Sequence, residues 1–164
     1  MKTKTNSGLS LVEILIVITI FASLGILSTR SVFLTLRGAK KSDSLVRVRE
    51  NVNNALSVME RQIRNSESVD CVNSTATNLV YTSLEGVDTS FTCVDAGNYI
   101  ASGSALLRLT SPDISVTTCS FNCSQTSLDI PPLVKITIVA EDNTSTSVEK
   151  GSITTETQIV GRNY

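Results

Sequence analysis

The chain has 164 residues, room for one domain and a membrane helix, and its 14 basic and 15 acidic side chains leave a net charge of −1. So even a balance argues against a protein built as a whole around nucleic acid or an anionic surface. There is no histidine and no tryptophan; without histidine the commonest general base and metal ligand is missing, which counts against most hydrolase constellations.

Residues 1–8 are short, polar and basic, with Lys2 and Lys4, and end in Gly8. Residues 9–27 are then apolar, and at ~1.5 Å per residue they are long enough to cross roughly 30 Å of hydrocarbon as a helix. Glu13 alone does not belong there by solvation, since a carboxylate in lipid costs roughly 2.5–3.5 kcal/mol on the insertion scale. The plain alternative is an uncleaved signal anchor with an incidental acid. A secretory signal fits poorly, because the apolar run continues past Ser23-Leu24-Gly25 and Glu13 interrupts it.

A basic leader, a glycine, an apolar run and an acid five residues beyond the glycine together resemble the class III signal of type IV pilins and type II secretion pseudopilins. The resemblance implies that a prepilin peptidase cuts between Gly8 and Leu9, that the new amine of Leu9 is methylated, and that Glu13 serves filament assembly. Leu9 is a mild departure, the family's first mature residue being most often Phe. The physics agrees: an amine at Leu9 would be as costly near lipid as Glu13, and pairing relieves both. Leu9 and Glu13 are i and i+4 on one helix, so the pair can form within a subunit, while the resemblance implies an axially shifted neighbour as the partner. It also implies other pilin or pseudopilin subunits, an inner-membrane assembly platform and membrane lipid as partners. The leader would be cytoplasmic and the C-terminal domain outside, in the periplasm, at the cell surface or in a filament. The flanking charges conflict with this: Arg30, Arg37, Lys40 and Lys41 outnumber Lys2, Lys4 and the N-terminal amine, which by the positive-inside rule alone favours the opposite orientation. The cysteines and the resemblance decide for the C-terminal domain outside.

The helical pattern continues beyond the apolar run. Leu45, Val48, Val52, Ala55 or Leu56, Met59 and Ile63 alternate spacings of three and four, one apolar stripe on an amphipathic helix. No proline precedes Pro112, so a helix over residues 9–64 would be roughly 80 Å long. Gly25, Ser28, Thr29, Ser31 and Gly38 weaken it locally, and the proline that many filament-forming pilins carry near this membrane exit is absent. Arg30, Arg37, Lys40, Lys41, Arg47 and Arg49 make the middle stretch basic. They read as a solvated face beside Asp43 and Glu50, or as a contact surface for acidic neighbours, anionic headgroups or DNA; aromatic side chains hardly interleave, which weakens the DNA reading.

From about Asn65 the period becomes two. Strands are expected over 79–84, 90–94, 105–109, 114–118, 133–140 and 152–160, separated by turns at Glu85-Gly86, Ala96-Gly97-Asn98, Pro112-Asp113 and Glu141-Asp142-Asn143. Pro131-Pro132 should mark the start of the strand that follows. An antiparallel sheet on the second half of the helix would bury the apolar stripe, giving an α+β, pilin-like fold. The division is then a leader at 1–8, a transmembrane or filament-core helix at 9–29, an amphipathic helix at 30–65 and an extracytoplasmic β-rich domain at 66–164. Met59-Glu60-Arg61-Gln62-Ile63-Arg64-Asn65, Leu106-Leu107-Arg108-Leu109, the 116–121 stretch, Pro132-Leu133-Val134-Lys135-Ile136 and the run from Thr154-Thr155 to Gly161-Arg162-Asn163 are similar to pseudopilin J and its minor pilin relatives. This narrower resemblance implies a minor subunit.

Cys71, Cys93, Cys119 and Cys123 all follow the apolar helix, and in an exported domain they read as two disulfides, each contributing about 2–4 kcal/mol. Three connectivities exist; proximity in sequence favours Cys71–Cys93 with Cys119–Cys123. Zinc knuckles use closer cysteine pairs or histidine, and the Glu141-Asp142 carboxylates are too sparse for a calcium site. No phosphate loop, nucleophile motif or carboxylate pair stands out. The expectation is a structural subunit without catalytic residues, cofactor or metal. Two other classes stay open on such a scaffold: a membrane-anchored adhesin or receptor domain, and a DNA-uptake subunit.

Overall fold

The computed structural model describes residues 10–103, 105–127, 130–145 and 148–162. One long helix, α1 (Leu11–Asn65), is followed by β1 (Ser68–Asp70), β2 (Asn78–Thr82), β3 (Asp88–Val94), β4 (Tyr99–Ser102), β5 (Leu107–Arg108), β6 (Ile114–Ser124), β7 (Leu133–Asp142) and β8 (Ser152–Val160). The fold is α+β, with one long apolar N-terminal helix that packs, in its later part, against antiparallel sheets. The chain separates into two compact units, Met1–Lys40 and Lys41–Tyr164, and α1 contributes to both.

In the second unit the helix is an apolar spine. Val48, Val52, Ala55, Leu56, Met59 and Ile63 are buried, as the spacing predicts, whereas Leu45 is only half-buried and Ser44 takes the inward position beside it. The helix closes at Ser66, whose buried hydroxyl and N–H both donate to the Ile63 carbonyl, at 2.7 and 3.3 Å. Each fully buried aliphatic side chain of this stripe contributes roughly 1.5–3 kcal/mol.

Two sheets cover that stripe where one was expected. The first runs β1-β2-β3-β4-β5 and the second β6-β7-β8, all neighbours antiparallel. Inward residues of both join the helix stripe in a single core: Leu79, Tyr81, Phe91 and Ile100 from the first sheet, and Phe121, Val134, Ile136, Ile138 and Ile159 from the second. Tyr81 and Phe91 stack at 5.0 Å, and the Tyr81 hydroxyl donates to Gln62 on the helix at 2.7 Å. The expected strand at 152–160 is β8 residue for residue, and Pro131-Pro132 directly precedes β7. β1 and β4 were not expected, the strand expected at 105–109 shrinks to two residues, and β6 runs six residues past its expected end at 118, to Ser124.

A bulge in β6 decides how the sheets join. Ile114 pairs with Asp142 and Val116 with Ala140, but Thr118 then pairs with Val139, so β6 holds one extra residue at Thr117. The bulge switches the inward set from even to odd numbers, turning Cys119, Phe121 and Cys123 to the core side opposite Ile138, Ile136 and Val134. On its other edge β6 meets the first sheet: the Val116 N–H donates to the Asn98 carbonyl and the Phe121 N–H to the Ala76 carbonyl, both at 2.8 Å.

Both disulfides cross this junction, Cys71–Cys123 with Cα atoms 5.1 Å apart and Cys93–Cys119 with 5.8 Å. The pairing of sequence neighbours is thereby corrected, and the reason is geometric. Cys119 and Cys123 lie on one extended strand, about 13 Å apart at ~3.3 Å per residue. Cys71 follows β1 and Cys93 lies in β3 with β2 between them, about 10 Å across two strand spacings. Both separations exceed the ~7 Å that a disulfide spans.

Non-reducing peptide mapping should recover Cys71 linked to Cys123 and Cys93 linked to Cys119; a Cys71–Cys93 peptide would contradict the sheet arrangement. Met59→Ala should lower the unfolding free energy of the detergent-solubilised chain by about 2–5 kcal/mol. The exposed Arg61→Ala should stay within about 0.5 kcal/mol of wild type.

Candidate assembly surface

The first unit is helix without cover. Its opening turn forms on the Ser10 carbonyl, which accepts from the N–H groups of Glu13 and Ile14 at 3.0 and 3.2 Å. No proline interrupts it, and leucine, isoleucine and valine dominate. Apolar side chains lie open on every face, with Leu11 78%, Phe21 72% and Leu27 65% exposed, and residues 10–43 are exposed throughout. The helix is long and apolar enough to cross a membrane, and none of its apolar window is buried within the chain.

Four of its hydroxyls bond to the helix's own carbonyls. Thr19 donates to the Ile16 carbonyl, Ser23 to Ile20 and Thr29 to Gly25, each at 2.8 Å, and Thr35 to Ser31 at 3.0 Å. A helix in hydrocarbon must meet its hydrogen bonds this way. Glu13 is then the one charged side chain between Ser10 and Thr29. It stands in the first turn, at the positive dipole end that favours a carboxylate. Gly8 and Leu9, where cleavage and methylation are expected, lie outside the described residues.

The second unit holds a polar constellation that the sequence reading missed. Asp142, taken there as part of a turn, ends β7 with its side chain 1% exposed. Its carboxylate accepts from the Thr144 N–H at 2.8 Å and hydroxyl at 2.7 Å, from the Ser145 hydroxyl at 2.9 Å and from the Arg47 guanidinium at 3.0 Å. Ser44 on the helix lies against the same carboxylate and accepts the Gly151 N–H at 2.8 Å. Gly151 lies so close that a Cβ there would stand 2.7 Å from the Leu45 backbone nitrogen, so only glycine fits. Burial alone would raise the Asp142 pKa; the bonds from Thr144, Ser44 and Ser145 outweigh it and hold the carboxyl well below the usual carboxylate range. Glu141, on the other face of the strand, pairs with Lys150. The readable signal was Asp-Asn-Thr-Ser, an aspartate bonding its own backbone two residues on; nothing in the sequence around Ser44 announced the rest.

The four cysteines serve the sheet junction and bring no reactive thiol to a site. Among the described residues no group of three or more histidine, cysteine or carboxylate side chains could hold a metal ion. A groove of about 570 Å³ between the helix end (Arg61, Gln62, Asn65) and the β2–β3 turn (Leu84, Val87) joins no nucleophile to a base. Compared with family models, curated proteins and solved structures, the chain matches none.

The Asp142 cluster makes a pH prediction. A carboxyl whose folded pKa is depressed contributes its full stability above its unfolded value near 4, and the contribution is lost as pH falls towards the folded value. The wild-type melting temperature should therefore drop between about pH 5 and about pH 2 by more than that of Asp142→Asn. At neutral pH the variant should already be about 1–3 kcal/mol less stable. A variant that matches wild type across this range would show the cluster to be energetically idle.

Proposed function

We propose that this chain is a filament subunit of the pilin type, a minor pilin or pseudopilin of a type IV pilus or a type II secretion-like filament, that works by assembly and not by catalysis. The observation that carries the proposal is the 11–27 segment of α1: apolar on all faces, uncovered by its own chain, and continuous with the helix that is the spine of a disulfide-bonded β-domain. Such a segment needs either lipid or other helices of the same kind. A pilin subunit uses both in turn.

The chain would insert with residues 1–8 in the cytoplasm, be cut between Gly8 and Leu9 by a prepilin peptidase, and be methylated on the Leu9 amine. The assembly platform would then move it from lipid into a bundle of neighbouring subunits. Lipid tails are as apolar as leucine, so this exchange gains little from hydrophobicity alone. A polar pair is what can set register, and Glu13 with an N-terminal amine supplies it: each charge is costly alone in the apolar phase and relieved by the other. Two formed disulfides support an oxidising location for the β-domain, in the periplasm or at the cell surface.

Glu13→Ala should be cleaved normally yet be recovered in filaments about tenfold less than wild type, the factor set by about 1.4 kcal/mol of lost pairing. Full incorporation of that variant would remove the pairing mechanism. Gly8→Ala should leave most of the chain at its unprocessed mass, and a fully matured Gly8→Ala chain would move the cleavage site elsewhere. Failure of the wild-type chain to crosslink with any other pilin subunit would favour a non-assembling, membrane-anchored adhesin.

A further inference from the structure

Between Ser28 and Lys41 the chain carries four basic side chains and no acid. Three of them, Arg30, Arg37 and Lys40, belong to the first unit and are exposed on α1. Arg30 and Arg37, seven residues apart, share one face of the helix, and Lys40 follows one turn on. An adjoining face carries Val32, Phe33 and Leu36, which are 59, 61 and 54% exposed. Apolar groups bordered by arginine and lysine are the chemistry of a helix at a membrane interface, with hydrocarbon under the apolar face and cationic heads at the level of the phosphates. The length of the span puts Arg30 there: counted from Leu11 at ~1.5 Å per residue, roughly 30 Å of hydrocarbon ends near residue 30. Arg37 and Lys40 follow roughly 10 and 15 Å further along the helix, with long side chains that can reach back towards the headgroups.

We propose that Arg30, Arg37 and Lys40 form a collar that binds the phosphates of anionic lipid headgroups where α1 leaves the bilayer. The two guanidinium groups offer paired N–H donors that match phosphate oxygens, and the ammonium adds a third charge. Anionic headgroups would also offset the adverse bias that this basic flank imposes on an outward-facing domain. The proposal rests on the membrane-span reading of α1 and not on filament assembly.

The test uses the full chain in detergent micelles containing equal amounts of phosphatidylglycerol and phosphatidylcholine, with retained lipids counted by native mass spectrometry. Wild type should retain phosphatidylglycerol preferentially. The preference should fall by about fivefold per neutralised side chain in Arg30→Gln, Arg37→Gln and Lys40→Gln combined, and salt should weaken it. Equal retention of the two lipids by wild type overturns the proposal and leaves these charges to an acidic protein neighbour; a preference that survives the triple substitution also overturns it. A companion measurement separates the two readings. Wild type and variant reconstituted in phosphatidylcholine vesicles should both resist alkaline extraction, and a wild-type chain that is extracted refutes the span itself and the collar with it.

Discussion

A helix that is apolar on every face is stable only where water is absent, and that condition is met in a bilayer or inside a bundle of like helices. α1 meets it from within the chain only from Ser44 onward, where both sheets close over Val48, Val52, Met59 and Ile63. From Leu11 to Leu36 it must find its cover elsewhere. The internal bonding of Thr19, Ser23 and Thr29 suits that demand, and Glu13 is the one charged side chain between Leu11 and Thr29. An uncovered helix with one misplaced charge is a surface waiting for a counter-charge, and a filament of like subunits answers both needs together.

The β-domain is assembled from two sheets that are each too small to make a core alone. The helix stripe gives them a common floor, and β6 gives them a common wall. One extra residue at Thr117 turns Cys119 and Cys123 inward, where they meet Cys93 and Cys71 from the first sheet. Small domains with little buried surface gain most from such links. Asp142 ties the end of β7 to Ser44 and Arg47, so the point at which the helix first becomes covered is held by charge and hydrogen bonds as well as by packing.

Much of this was legible in the sequence because it depends on local periodicity. The stripe from Val48 to Ile63 follows helical spacing, and β7 and β8 alternate valine, isoleucine and threonine over eight residues or more. What was not legible depends on contacts between distant residues. β1 and β4 are three and four residues long, too short for alternation to register, and exist because β2 and β3 offer them edges. The short strand over Leu107–Arg108 falls inside a longer expected one because Leu106 adopts a left-handed φ of 50° that ends the pairing. The bulge leaves no compositional mark, so neither the inward turn of the β6 cysteines nor their true partners could be read from spacing. Glu13 was conspicuous because it violates a local rule; Asp142 was not, because an aspartate in a polar turn violates none.

The central claim is that α1 is made to be processed and handed into a filament, and it is tested most directly at the chain's own beginning. Intact mass and N-terminal sequencing should be carried out on the protein recovered from cells that express a prepilin peptidase. The account predicts a chain that starts at Leu9 with a methylated amine. A chain still starting at Met1, with that peptidase demonstrably active, would contradict it and leave a signal-anchored β-domain in its place.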